Sequence, residues 1–297
     1  MTGAGPDRGQ AATRGVATRL SARDRARRAA QGGQSPRSVP GPLLIPAIIA
    51  VAFLVLPLAG LVIRAPWGRL GPALSGTDAV QALVLSLWTA TVATGVCVVI
   101  GVPLAWVLAR TSFPGQRLLR ALVTLPLVLP PVVGGVALLL AFGRAGFIGR
   151  YLDDWFGLTI PFTPLAVVMA ESFVAMPFLV ITVEGALRSA DLGFEEAAAT
   201  LGASRMTVFR RVTVPLVAPS LGAGAVLCWA RALGEFGATI TFAGSFPGQT
   251  ETMPIAVYYA LEDDPDAAFA LSLVLLLVSV LVLASLRDRW LRGGAVQ

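Results

Sequence analysis

Residues 187–216 read LRSADLGFEEAAATLGASRMTVFRRVTVPL, a polar interval lying between two long apolar runs. The interval divides into two short helices. Asp191 is placed to cap the first, Glu195 and Glu196 lie near its positive end, and Gly202 stops it where a left-handed backbone is suited. Phe194, Ala197, Ala198 and Leu201 follow i, i+3, i+4, i+7 spacing, which gives one apolar face that another surface can approach closely. Ser204 is placed to cap the second helix, which exposes Arg205, Arg210 and Arg211 before Pro215 opens the next apolar run. On these residues alone two readings stand side by side. The first helix is a knob for another protein's groove, or it is an amphipathic helix resting on a bilayer.

The runs on either side set the class. A helix needs roughly 20 apolar residues to cross the hydrocarbon of a bilayer. Six stretches meet that length, at about 43–63, 80–108, 121–142, 163–183, 212–233 and 267–286. Composition agrees: 56% of the 297 residues are hydrophobic, 13% are charged, and the mean hydropathy is +0.76. The chain is therefore expected to be an all-α, polytopic membrane protein with six transmembrane helices. The second stretch exceeds one crossing, so it tilts or extends past the bilayer at one end.

All 23 basic residues are arginine, and their placement sets the orientation. Loops that retain positive charge stay in the cytoplasm. One side collects eight arginines before residue 41, then Arg110, Arg117, Arg120, Arg188, Arg205, Arg210, Arg211, Arg287, Arg289 and Arg292, against Arg64, Arg69, Arg144 and Arg150 on the other. Both termini are expected on the cytoplasmic side of the cell's inner (plasma) membrane. Residues 1–40 contain no apolar run and are read as a disordered, arginine-rich cytoplasmic tail, leaving 41–292 as the membrane domain. The first apolar stretch begins too late for a secretory signal, and Arg27–Arg28 lack the apolar segment that a twin-arginine signal needs. The tail's arginines are either solvated or in contact with anionic membrane lipid.

Missing residue types narrow the chemistry. With no histidine there is no Ser-His-Asp arrangement and no HExxH site. With no lysine there is no GxxxxGK[ST] phosphate loop and no Schiff base. No catalytic residue and no metal site is assigned, and any ATP chemistry belongs to another chain. Cys97 and Cys228 stand apart inside apolar runs and read as small buried hydrophobes. The acidic stretch Glu262, Asp263, Asp264 and Asp266 reads as a solvated outer face.

Breaks in the apolar runs mark candidate pathway residues. TLPLVLPPVVGG, residues 124–135, places Pro126, Pro130, Pro131, Gly134 and Gly135 in one span, which cannot then be a regular helix. Either the span lines a pathway or it packs around a kink. Pro177 poses the same choice in the fourth span. Glu171 sits midway along that span and must face inward, whereas Glu184 can reach the interface and needs no special role. Arg231 and Glu235 are four apart and can neutralise each other, as a structural pair or beside a pathway. Beyond them, GEFGATITFAGSFPGQTETMPIAVYY, residues 234–259, is too rich in glycine for a span and too apolar for a free loop. A partly re-entrant segment buried in protein satisfies both facts. Thr239, Thr241 and the backbone N–H groups near Gly234 and Gly237 fall in this segment and join the pathway candidates.

Within the opening segment, Glu196-Ala197-Ala198, three residues, Gly202, nine residues, Val212, one residue, Val214 and Pro215 resemble the EAA loop of ABC importer permeases. Val212 and Val214 replace the usual isoleucine and leucine, which are mild apolar changes. The resemblance covers about residues 43–292. PLVLPPVVGG at 126–135, RALGEFGATITFAG at 231–244 and FPGQTETMPIAVY at 246–258 are similar to the molybdate-transporting branch of that family, and sulfate permeases share a related GEFGA stretch.

The resemblance implies the type I ABC importer fold and a transporting role. Two copies of such a chain pair around a pathway, two ATPase subunits bind on the cytoplasmic side, and an extracytoplasmic binding protein delivers an oxyanion, molybdate or alternatively sulfate, tungstate or thiosulfate. The chain itself is not an enzyme and binds no cofactor; ATP and Mg sit on the partner ATPase. Nucleic acid is not among the expected partners. It further implies that Glu195, Glu196, Ala197, Ala198, Gly202 and Pro215 belong to the ATPase-coupling loop. An ion-coupled secondary transporter using Glu171 is the rival reading, and it leaves the EAA spacing unexplained.

Overall fold

A computed structural model describes residues 41–71 and 76–293, apart from the side chains of 41, 283 and 285–293. The tail expected over residues 1–40 lies outside the described residues, as do the side chains of Arg287, Arg289 and Arg292. Every secondary-structure element among the described residues is helical, and these residues divide into two units between 59 and 60. The first unit contributes most of helix α1, Gly41–Arg64, whose only charge is its last residue. Its apolar surface runs all round, as hydrocarbon surroundings require.

In the second unit the centre is α6, Pro164–Ser189. Thr163 caps it by accepting the Ala166 N–H, and Pro164 takes the first helical position, where its missing donor costs nothing. Residues from Ala166 to Leu187 are buried on most sides, with α2, Thr77–Arg110, packed along one flank and α9, Val214–Leu233, along another. Small residues on α2 allow the close approach: Ala90, Ala93 and Ala105 are fully buried, and a Cβ on Gly101 would already lie 3.3 Å from Leu179 and Val180. At 34 residues, α2 is about 50 Å long at 1.5 Å per residue, well beyond the hydrocarbon thickness. Helix α6 runs unbroken through Pro177.

The third apolar run is not one helix. It divides into α3, Gln116–Val128, and α4, Pro131–Phe142, bent by 120° at the break. Leu129 and Pro130 each precede a proline, a position that disfavours the helical region, and both are extended with ψ near 130°. Helix α5, Gly149–Phe156, follows. Beyond α6 come the short helices α7, Gly193–Thr200, and α8, Arg205–Val208, then a π-helical turn at Phe209–Thr213 leading into α9. The glycine-rich segment folds as α10, Gly237–Ala243, buried against α4 and α6, and as α11, Met253–Asp263, packed on α12, Pro265–Gly293. Among the described residues, five helices are long and apolar enough to cross a membrane, and α3 with α4 makes up to six.

Candidate functional site

Helix α7 presents an apolar face outward. Phe194 is 59% and Leu201 88% exposed, with Ala197 also exposed and Ala198 half-buried between them. The Asp191 carboxylate accepts the Gly193 N–H at 2.8 Å, although Leu192 occupies the cap position. Gly202 ends the helix at φ +84°, a conformation that costs a residue with a Cβ roughly 1–2 kcal/mol. Its N–H and that of Ala203 close on the Ala199 and Ala198 carbonyls. Ser204 caps α8 by accepting the Thr207 N–H at 3.2 Å, as its position in the sequence predicts. Pro215 sits in the first turn of α9.

The two glutamates of this helix part company. Glu196 is exposed, whereas Glu195 turns inward and meets Arg110, the last residue of α2, at 2.9 Å. Beside the pair lies a cavity of about 430 Å³ between α7, α8, the π turn and the end of α2, with Trp106, Phe209 and Thr213 among its walls. Trp106 and Phe209 meet edge to face, centroids 6.1 Å apart.

A second polar cluster lies at the same end. The Leu108 carbonyl, left without an intrahelical donor near the end of α2, accepts from Gln116 Nε2 at 2.8 Å, Arg188 Nη2 at 3.1 Å and Arg120 Nη2 at 3.4 Å. Glu184 binds Arg120 at 2.9 Å and Arg188 at 3.0 Å. Helices α2, α3 and α6 are thereby tied at one point. Glu184 is only 7% exposed, so the sequence-based reading of a group reaching the interface with no special role is corrected. A carboxylate beside two guanidinium groups is stable at a helix end without reaching water.

The pathway candidates fall into two sets. Pro130 and Pro131 are exposed, and Pro126 and Thr241 are half-buried. Glu171, Glu235 and Thr239 are buried within the chain itself. Glu171 accepts from Thr89 Oγ1 at 2.9 Å, which joins α6 to α2. Arg231 Nη1 lies 2.6 Å from Glu235 Oε2, a close ion contact rather than a directed hydrogen bond, so the i, i+4 pair forms although α9 ends at Leu233. The other oxygen of Glu235 accepts the Ala238 N–H at 2.8 Å and holds the start of α10. Thr239 Oγ1 is buried without a hydrogen-bond partner among the described residues, and Thr241 Oγ1 donates to the Gly237 carbonyl of its own helix at 2.7 Å.

Several contributors carry no local signal in the sequence. Ser86 accepts the Met253 N–H at 2.7 Å across 167 residues and anchors α11 to α2. A Cβ on Gly135 would lie 2.7 Å from Thr241 Cβ and 2.8 Å from the Ala238 carbonyl, and one on Gly237 would lie 2.9 Å from Pro131 Cβ. These glycines permit backbone contact between α4 and α10. Cys97 and Cys228 are fully buried free thiols, in keeping with their apolar surroundings.

This arrangement, an exposed short helix between two packed spans beside a broken span, has counterparts in known proteins. Residues 101–293 match the family described as binding-protein-dependent transport system inner membrane component. The molybdenum transport system permease protein ModB of Mycobacterium tuberculosis is 50% identical over 254 residues, covering 86% of this chain and 96% of that protein. The sulfate transport system permease protein CysT of Salmonella typhimurium is 38% identical over 245 residues, covering 81% and 88%. A crystal structure of a bacterial ABC transporter involved in alginate import superposes with a TM-score of 0.66 at 17% identity, over 86% of this chain and 95% of that one, a likeness of fold. The chain belongs to the binding-protein-dependent transport system inner membrane components, the permease subunits of ABC importers.

Proposed function

We propose that this chain is the permease subunit of an ATP-driven importer for a tetrahedral oxyanion, molybdate foremost. The observation that carries the substrate is the 50% identity to a molybdenum permease over 96% of that protein's length. In this reading α7 is the coupling helix. Its exposed Phe194, Glu196, Ala197 and Leu201 seat in a groove of the partner ATPase, Gly202 fixes the corner, and the arginines of α8 and the π turn face acidic groups nearby. Two copies of the chain enclose the pathway, and an extracytoplasmic binding protein supplies the anion. Both termini are cytoplasmic, because the arginine-rich ends of the spans then lie with the coupling helix.

ATP binding biases the assembly by favouring one of its two states over the other. An anion in a low-dielectric path needs donors but must also leave, so each contact is weak. The first-turn N–H groups of α4, and the half-buried Thr241 hydroxyl once it leaves the Gly237 carbonyl, are donors of that kind. Sulfate is the second reading, favoured by the 38% identity to a sulfate permease over 88% of its length. The test is uptake by liposomes containing this chain, its ATPase and its binding protein. Labelled molybdate uptake competed by tungstate but not by a large excess of sulfate supports the first reading; competition by sulfate at equal concentration supports the second.

A further inference from the structure

Helix α7 is poorly supported by packing. None of its residues is fully buried, and the cavity of about 430 Å³ beside it has room for several waters where side chains would otherwise fill the space. Across that gap runs one directed link. Among the described residues, Arg110 Nη2 to Glu195 Oε1 at 2.9 Å is the one side-chain hydrogen bond or ion pair that joins α7 to another helix. Both side chains are shielded, 10% exposed for Arg110 and 16% for Glu195, so the pair is screened far less than a surface bridge. Arg110 in turn ends a helix whose Leu108 carbonyl is gripped by Gln116, Arg120 and Arg188, so a displacement received by Arg110 passes directly to α2, α3 and α6.

We propose that the Arg110–Glu195 pair is the positioning joint through which movement of the coupling helix is handed to the membrane spans. This rests on the reading of α7 as the ATPase-docking helix, and it separates the two neighbouring glutamates by role: Glu196 faces the partner, and Glu195 faces the bundle. An ion pair suits the task because it holds under both push and pull, whereas small-residue packing at the cavity edge resists only push. Removing either partner leaves the docking face intact and the lever slack.

The test uses the full complex of this chain, its ATPase and its binding protein in liposomes, with ATP hydrolysis and labelled molybdate uptake measured together. Arg110→Ala and Glu195→Ala should keep the ATPase bound and hydrolysing while substrate moved per ATP falls about tenfold, the size of an ordinary coupling between sites. The charge-reversed double variant, Arg110→Glu with Glu195→Arg, should recover much of that ratio, which a purely structural loss would not. Single variants with the wild-type ratio overturn the proposal, and so does an assembled double variant no better than the singles. If the single variants fail to assemble, the double variant decides, by the same ratio. Wild-type chain that binds no ATPase would instead overturn the reading of α7, a distinct result.

Discussion

Two parts of this molecule join their helices by opposite means. At the end of the bundle that carries α7, long charged side chains reach between helices: Arg110 of α2 to Glu195 of α7, and Arg120 of α3 to Glu184 of α6. Where α4 meets α10, two glycines bring the helices together, Gly135 against the Ala238 backbone and Gly237 against Pro131. Glycine contacts fix a distance to within tenths of an ångström and tolerate no added atom. Arginine contacts tolerate rotation while keeping partners attached. The contrast fits a rigid unit built around the broken span and an adjustable joint beside α7.

Substitutions can break that contrast, and the largest effect is expected at the glycines. Gly135→Val places atoms inside the Ala238 carbonyl and Thr241, so the chain should lose about 3 kcal/mol or more and accumulate poorly in membranes, read by thermal unfolding in detergent and by expression level. Ordinary melting of that variant would show that α4 and α10 are not in close contact. Next comes Glu184→Ala, which removes a shielded carboxylate from two arginines that can still reach water, 37% and 49% exposed. A loss of about 2 kcal/mol is expected. An unchanged melting temperature would remove Glu184 from the tie between α3 and α6.

Smaller effects are expected at the corner after α7 and along α10. Gly202→Ala meets no atom within 4 Å but must adopt φ +84°, so a loss of about 1 kcal/mol is expected, with assembly intact. Gly202→Asp should go further in function than in stability, adding bulk and charge at the corner and lowering uptake while the chain stays in the membrane. Thr241→Val removes a hydroxyl bonded only to its own helix, so stability should change by less than about 1 kcal/mol. Unchanged transport in that variant, and in Thr239→Ala, would remove both hydroxyls from the anion path.

What the sequence disclosed follows from the range of each interaction. Apolar runs, the Pro130–Pro131 break, the Gly202 corner and the Arg231–Glu235 pair are local, each decided by neighbours within a few residues, and each was legible. The extended break between α3 and α4 follows from two successive residues preceding prolines, although its 120° angle does not. Arg110 and Glu195 are 85 residues apart and Arg120 and Glu184 are 64 apart, so no spacing rule links them. For the same reason Glu195 reads from sequence as part of the same outward loop surface as Glu196, and only the fold turns it inward. Thr239 likewise reads as a free donor, yet it is fully buried within the chain, because its helix lies against α4 and α6.

In the proposed function the exposed face of α7 holds the ATPase, and transport depends on this grip. Replacing Leu201, 88% exposed, with Asp tests it with little cost to the fold. This variant should insert and melt like the unmodified chain, yet retain about a tenth or less of the bound ATPase on purification, with ATP-driven molybdate uptake lost in proportion. Full retention of the ATPase, or molybdate uptake by the chain alone without any ATPase, would contradict it.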